Sequence, residues 1–338
     1  MEGDLKPNLS DESQYRNWLA LPNEITSTIL QRLGAVGILK SAQYVCVAWR
    51  NISKDPSMWR SIDMRDHGDF WNMDFRLEKM CFLAIDRSCG NLVDISIQDF
   101  GSDELLKHIA NSASGLKRLQ LVSCLGMTDD GLSELAAKVP MLEELDLSHC
   151  SFSGRAVEAV GRCCPLLKSL KLNCSWINCG HVECEKGARS IAGNMPGLHH
   201  LQIFGNKLTN IDLLAILDGC PHLESLDLRR CFNVEMAGSV AKRCAEQIKD
   251  LRSPYDSVYD YPFDIEIFDI DSFDEDYPAG FSEIDIVSDD DGHYEFSEGN
   301  DFSYYGDMDG VAFDYPSDLE LPDVGSSDED SPSEFSVD

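Results

Sequence analysis

The chain has 338 residues, 43% of them hydrophobic, and a formal net charge of −32 at pH 7. The charge is uneven: residues 254–338 carry 28 of the 60 Asp and Glu and none of the 28 Lys and Arg, leaving residues 1–253 close to neutral. Neither part offers the basic surface that a phosphate backbone requires, which argues against nucleic acid as a direct ligand, and no run of 18 apolar residues is present to span a membrane. All 13 cysteines fall between Cys46 and Cys244, an odd number, and no apolar leader follows Met1-Glu2-Gly3-Asp4. Reduced thiols in a nuclear or cytoplasmic protein are therefore expected.

Residues 1–16 are polar and read as a flexible lead-in. From residue 17 to 64 the pattern becomes helical. Pro22 suits a first helical turn, and Ile25, Ile29 and Leu33 follow at four-residue intervals on one face. Gly34 and Gly37 interrupt it. Leu39, Ala42, Val45, Cys46 and Trp49 then suit a second helix, stopped by Pro56 before the short apolar run Ile62-Asp63-Met64. Some 42 residues hold too little material for an independent core, so a partner or a neighbouring domain must cover one face.

The order of these elements resembles the F-box: Leu21-Pro22 opening a helix, Val45-Cys46, Trp49-Arg50, and Asp55-Pro56-Ser57-Met58-Trp59 closing the motif. The resemblance implies binding to the Skp linker of a cullin-based ubiquitin ligase, through Leu21, Pro22, Ile25, Ile29 and Leu33 with support from Leu39, Val45 and Trp49. The glycines of Gly34-Ala35-Val36-Gly37 stand where that family has a firmer helix connection.

Residues 65–91 read as a connector, with an amphipathic helix marked by Leu77, Met80, Cys81, Ala84 and Ile85. Repeats occupy residues 92–253. The triplet Leu92, Ile95, Ile97 recurs as Leu116, Leu119, Leu121; Leu142, Leu145, Leu147; Leu167, Leu170, Leu172; Leu198, Leu201, Ile203; and Leu223, Leu226, Leu228, with a degraded seventh copy at Ile248-Lys249-Asp250-Leu251. Cys124, Cys150, Cys231 and Asn206 each follow the last apolar residue of their triplet by three. Each copy continues into a helical stripe, such as Leu132, Leu135, Ala136 and Val139 after Thr128-Asp129, and Pro140, Pro165, Pro196 and Pro221 fall at equivalent helix ends. This resembles the cysteine-containing leucine-rich repeat. One strand and one helix cannot bury both apolar faces alone, so copies must stack, with parallel strands lining the concave side.

Strand residues beside the buried leucines should point to that concave face. Arg118, Gln120, Glu144, Asp146, Lys171, Asn173, His200, Gln202, Phe204, Asp227 and Arg229 are the candidate target-binding set. For any one of them a solvated sheet face is the blander reading, but mixed polarity suits a protein ligand. The fourth repeat is longer, and Cys174, Cys179, His181 and Cys184 fall in its excess. Their C-x4-C-x-H-x2-C spacing matches no recognised zinc pattern. A surface loop is the simpler reading, and neither metal nor other cofactor is expected. No nucleophile elbow, P-loop or dinucleotide turn is present, so any chemistry belongs to a partner.

Residues 254–338 mix acid with aromatics, and charge repulsion without Lys or Arg predicts disorder. The tail reads either as a solubilising segment or as a docking segment for a basic partner. Ser288, Ser326 and Ser327 resemble acidophilic kinase sites and Ser331-Pro332 a proline-directed one.

Together these features resemble the F-box/LRR proteins, and the stretch from Gly205 to Leu228 resembles a plant subgroup that interacts with Skp homologues. The expected fold is α/β: a three-helix F-box capping a curved leucine-rich-repeat solenoid, then a disordered acidic tail. The resemblance implies a non-catalytic substrate adaptor that contacts a Skp linker and, through it, cullin and RING subunits. A repeat scaffold acting without a ligase is the alternative.

Overall fold

The computed structural model describes residues 21–65, 74–174 and 181–263. Helix α1 (Asn23–Gln31) is followed by α2 (Gly34–Lys40) and α3 (Val47–Ile52), then β1 (Ser61–Met64) and α4 (Asp74–Arg87). Strands and helices then alternate: β2 (Asp94–Gln98), α5 (Asp103–Ser112), β3 (Arg118–Val122), α6 (Asp129–Ala136), β4 (Glu144–Ser148), α7 (Gly154–Cys163), β5 (Ser169–Lys171), α8 (His181–Asn194), β6 (His200–Gln202), α9 (Asn210–Gly219), β7 (Ser225–Asp227), α10 (Gly238–Gln247) and β8 (Asp250–Arg252). All strands pair in parallel in one open sheet whose order is the order of the chain, β1 to β8.

The register aligns the repeats residue for residue: Ile95 with Leu119, Leu119 with Leu145, Leu145 with Leu170, Leu170 with Leu201, Leu201 with Leu226, and Leu226 with Leu251. Except for half-buried Leu172, the triplet residues from Leu92 to Leu228 are buried, as are Leu105, Leu106, Ile109, Leu132, Leu135, Val157, Val160, Leu213 and Leu217 on the helices. One continuous core results, because each copy buries its strand face and its helix stripe against the next.

Two side-chain ladders lock the copies together. The Cys124, Cys150 and Cys231 thiols donate to the carbonyls of Ile97, Leu121 and Ile203 on the preceding strand, and the Asn206 amide donates to Leu172 O. This explains the recurring Cys or Asn: a small polar side chain satisfies a carbonyl at the C-terminal end of the preceding repeat's strand segment. On the helix side, the Asp103 carboxylate accepts from Thr128 N at 2.8 Å and Thr128 Oγ1 at 2.6 Å. Asp129 accepts from Ser153 N at 2.8 Å and from its hydroxyl. Each acid at the start of one helix thus anchors the N-cap of the next.

Three features differ from expectation. Residues 39–49 do not form one helix. Lys40 ends α2, a short 3-10 turn spans Ala42–Tyr44, and Cys46 restarts the chain by accepting Trp49 N–H on its sulfur. Gly34 makes the turn from α1 into α2 at φ +71°, a backbone region glycine enters without strain, and Gly37 lies inside α2. Second, Ile62-Asp63-Met64 is the first strand of the repeat sheet, in register with Ile95-Ser96-Ile97. Third, residues 254–263, which composition groups with the tail, fold back against the repeats, with Pro254 and Tyr261 buried. The serines expected to be phosphorylated lie outside the described residues.

Candidate functional site

Two surfaces stand out. The first is on α1 to α3. Leu30, Ala35, Ile38, Leu39 and Ala42 form its core, continuous with Met58, Trp59 and the repeats. Facing outward are Ile25 (49% exposed), Leu33, Tyr44, Val45 (64%) and Val47. Of the residues predicted to meet the Skp linker, Pro22, Ile25, Leu33 and Val45 are exposed and Leu21 and Ile29 half-buried. Leu39, at 4% exposure, belongs to the core, and Trp49 packs against it. Tyr44 and Val47 were missed by sequence reasoning, because helical spacing extended through residues 39–49 gives them no place on the apolar face.

This unit is fastened to the sheet. Trp59, fully buried, donates its indole N–H to Ser53 O at 2.9 Å. Arg87, at the end of α4, sits 5.5 Å from the Trp59 ring centroid. Its guanidinium donates to Gln43 Oε1 at 2.8 Å and Ser53 O at 3.3 Å.

The second surface is the sheet face not covered by helices, the concave face of such a solenoid. Its side chains form two polar networks. In the first, Gln120 accepts from Arg65 and Ser96 and donates to Asp146, while Asp146 receives the Ser148 hydroxyl and lies 3.5 Å from Lys171 Nζ. Asn173 donates to Ser148 and accepts Phe204 N–H. In the second, Gln202 donates to Asp227 at 3.0 Å, and Asp227 pairs with Arg229 at 2.8 Å. Arg118 pairs with Asp94 at 2.9 Å.

The predicted target-binding residues therefore divide. Arg118, Glu144 and His200 are exposed, and Gln120, Lys171, Gln202 and Asp227 half-buried. Asp146, Asn173, Phe204 and Arg229 are buried. The last two are covered by the chain itself. The Tyr261 ring stacks on Phe204 with centroids 3.9 Å apart and planes 9° from parallel, and its hydroxyl lies 3.1 Å from His149 Nε2. Asp260 pairs with Arg229, and with Arg252 at 3.2 Å. His149, one residue past β4, and Arg230, three residues past β7, share the left-handed conformation, φ 57° and 64°. Burial holds the His149 pKa below its usual value, against the opposing pull of Asp146. His149, Asp260 and Tyr261 were missed because their meeting depends on a chain reversal that no local pattern encodes.

Among the described residues no group of His, Cys, Asp and Glu has the arrangement of a metal site. Cys179 and the side chains of His181 and Cys184 lie outside them.

Comparison with known proteins agrees with this geometry. The F-box-like family model matches residues 18–65. The repeat model described as FBD-associated F-box protein At5g56370, LRR repeats, matches residues 92–187. F-box protein SKIP19 of Arabidopsis thaliana is 48% identical over 306 residues, covering 90% of this chain and 97% of that protein. F-box protein FBW2, from the same plant, is 29% identical over 75% of this chain and 80% of its own length. Carrying an F-box unit joined to leucine-rich repeats in one sheet, the chain belongs to the plant F-box/LRR proteins.

Proposed function

We propose that the protein is the substrate-recognition adaptor of an SCF (Skp, cullin, F-box) ubiquitin ligase. The observation that carries this reading is the outward row Ile25, Leu33, Tyr44, Val45 and Val47 on a helical unit whose next segment is a strand of the concave sheet. Large apolar side chains exposed together mark a protein interface. A Skp-type linker is the partner that the family supplies, with cullin and RING subunits beyond it. The target binds the concave face, through the accessible side chains of Arg118, Glu144, Lys171 and His200.

The adaptor performs no bond chemistry of its own. It raises the effective concentration of a target lysine near the ubiquitin-charged enzyme. That requires a fixed geometry between the two surfaces, and the pairing of β1 with β2 and the Arg87–Trp59 contact supply it.

The test is binding of the purified full chain to a plant Skp homologue with cullin. The wild type is expected to bind, and Ile25→Asp/Val45→Asp to lose binding while melting at the wild-type temperature. A folded wild type that does not bind would leave the repeat scaffold as the better reading.

A further inference from the structure

The segment after β8 reverses across the array. Arg230 N donates to Pro254 O at 2.8 Å, continuing the sheet's edge by one step. The chain then runs back toward earlier repeats. Asp260 meets Arg252 on β8 and Arg229 just past β7; Tyr261 meets Phe204, two residues past β6; and Phe263 reaches the His149 ring at the end of β4, centroids 5.3 Å apart. The rim beneath is built for two adjacent side chains. Two guanidinium groups hold one carboxylate, and one aromatic face, with Arg229 lying 5.8 Å from its centroid, holds one ring whose hydroxyl meets an imidazole. Charge-assisted bonds and stacking together select an acid and an aromatic in that order.

The segment is lightly held. Of residues 255–263 only Tyr261 is buried, and Tyr259 is 99% exposed. Beside it an open groove of about 220 Å³ continues along the concave face between Lys171, His200, Gln202, Asp227, Arg229 and Arg252. A ligand that filled the groove and extended to the rim would meet the same arginines and the same ring.

We infer that the rim formed by His149, Phe204, Arg229 and Arg252 is a recognition site for a peptide carrying an acidic residue followed directly by an aromatic one. In this structure the chain's own Asp260-Tyr261 pair holds the site, and a target bearing such a pair takes its place. The inference rests on the concave face being the target surface and names what that surface reads.

The test uses full-length protein. The free peptide Ser257-Val258-Tyr259-Asp260-Tyr261-Pro262-Phe263 is expected to bind the Asp260→Ala/Tyr261→Ala variant at least tenfold more tightly than wild type. It should fail on that variant carrying Phe204→Ala as well, as should a peptide with Asn in place of the acid. Selection from a random peptide library on the double variant should enrich acid-aromatic pairs. Absence of peptide binding, or enrichment of sequences without the pair, overturns the inference. Should the double variant lose its cooperative melt, hydrogen exchange on wild type decides. Excess free peptide must speed exchange at residues 258–263, and unchanged protection overturns the proposal. Selected peptides that bind wild type and variant alike, and are lost on Lys171→Glu but not on Arg229→Ala, would sink the rim site while keeping the concave face as target surface. A rim that binds the peptide in a chain that ignores the Skp homologue would do the reverse.

Discussion

The Arg87 guanidinium lies 5.5 Å from the centroid of the Trp59 ring and bonds to Gln43 Oε1 and Ser53 O. One side chain of α4 therefore touches the 3-10 turn, the α3 end and the closing tryptophan of the helical unit. Burial pulls the Arg87 pKa down from its usual value, so its charge is held by these partners in place of water. Arg87→Ala removes a partly desolvated cation–π contact and bonds to a buried amide. A loss of about 2 kcal/mol follows, from roughly 1 kcal/mol for the ring contact and a similar amount for the orphaned acceptors. Thermal denaturation should register it as a drop of roughly 4–8 °C. Arg87→Lys should recover only part, since an ammonium cannot reach both acceptors and cover the ring at once.

Leu39 and Val45 separate packing from recognition. Leu39→Ala opens a hole in the core and should cost about 2–5 kcal/mol. Val45→Asp changes a side chain that is 64% exposed and should leave the melting temperature within about a degree of wild type. A linker-binding assay should show the opposite order, with Val45→Asp the weaker binder. Equal loss of binding in both, or none in either, would remove the outward row as the contact.

The inter-repeat caps can be tested at Asp129. Its carboxylate satisfies the Ser153 N–H and hydroxyl at the start of α7. Asp129→Ala should cost about 1–2 kcal/mol, and hydrogen exchange should quicken at the start of α7 more than in α5. Asp129→Asn, which keeps an acceptor, should cost less.

Acid should loosen the rim in two stages. The His149 pKa is depressed from 6.5 by burial, with Asp146 the charged group opposing the shift and the Tyr261 hydroxyl facing its Nε2. The unfolded chain then takes up a proton before the folded one does. The stability carried by neutral His149 is intact above pH 6.5 and falls as pH drops through the lower folded value. Asp260 is depressed from 3.8, chiefly by its bond to Arg229, so that pairing persists to lower pH and fails below 3.8. Tyrosine fluorescence or hydrogen exchange at 258–263 should show the first stage below pH 6.5 and above the stage set by Asp260, and His149→Gln should abolish that stage alone.

Much of this architecture follows from sequence periodicity. A 24- to 31-residue recurrence of Leu-x-x-Leu-x-Leu leaves few arrangements that bury both faces of each copy, and the observed register pairs those leucines as the spacing requires. The Cys and Asn positions were equally legible, because each serves its immediate neighbour in a fixed ladder. The same period located the concave strands. Three things were decided only by tertiary structure. β1 joins the sheet because β2 offers an open edge, which Ile62-Asp63-Met64 alone does not announce. Leu39 turns inward and Val45 outward because α2 ends at Lys40 and a 3-10 turn lies between them, which breaks the phase of the apolar face. Asp260 and Tyr261, in a stretch whose composition reads as tail, are placed by arginines and an aromatic ring that stand 8 to 57 residues earlier in the chain. Local pattern governs contacts between neighbouring repeats, where spacing alone brings partners together. Contacts made by a chain that reverses over the finished surface depend on that surface existing first.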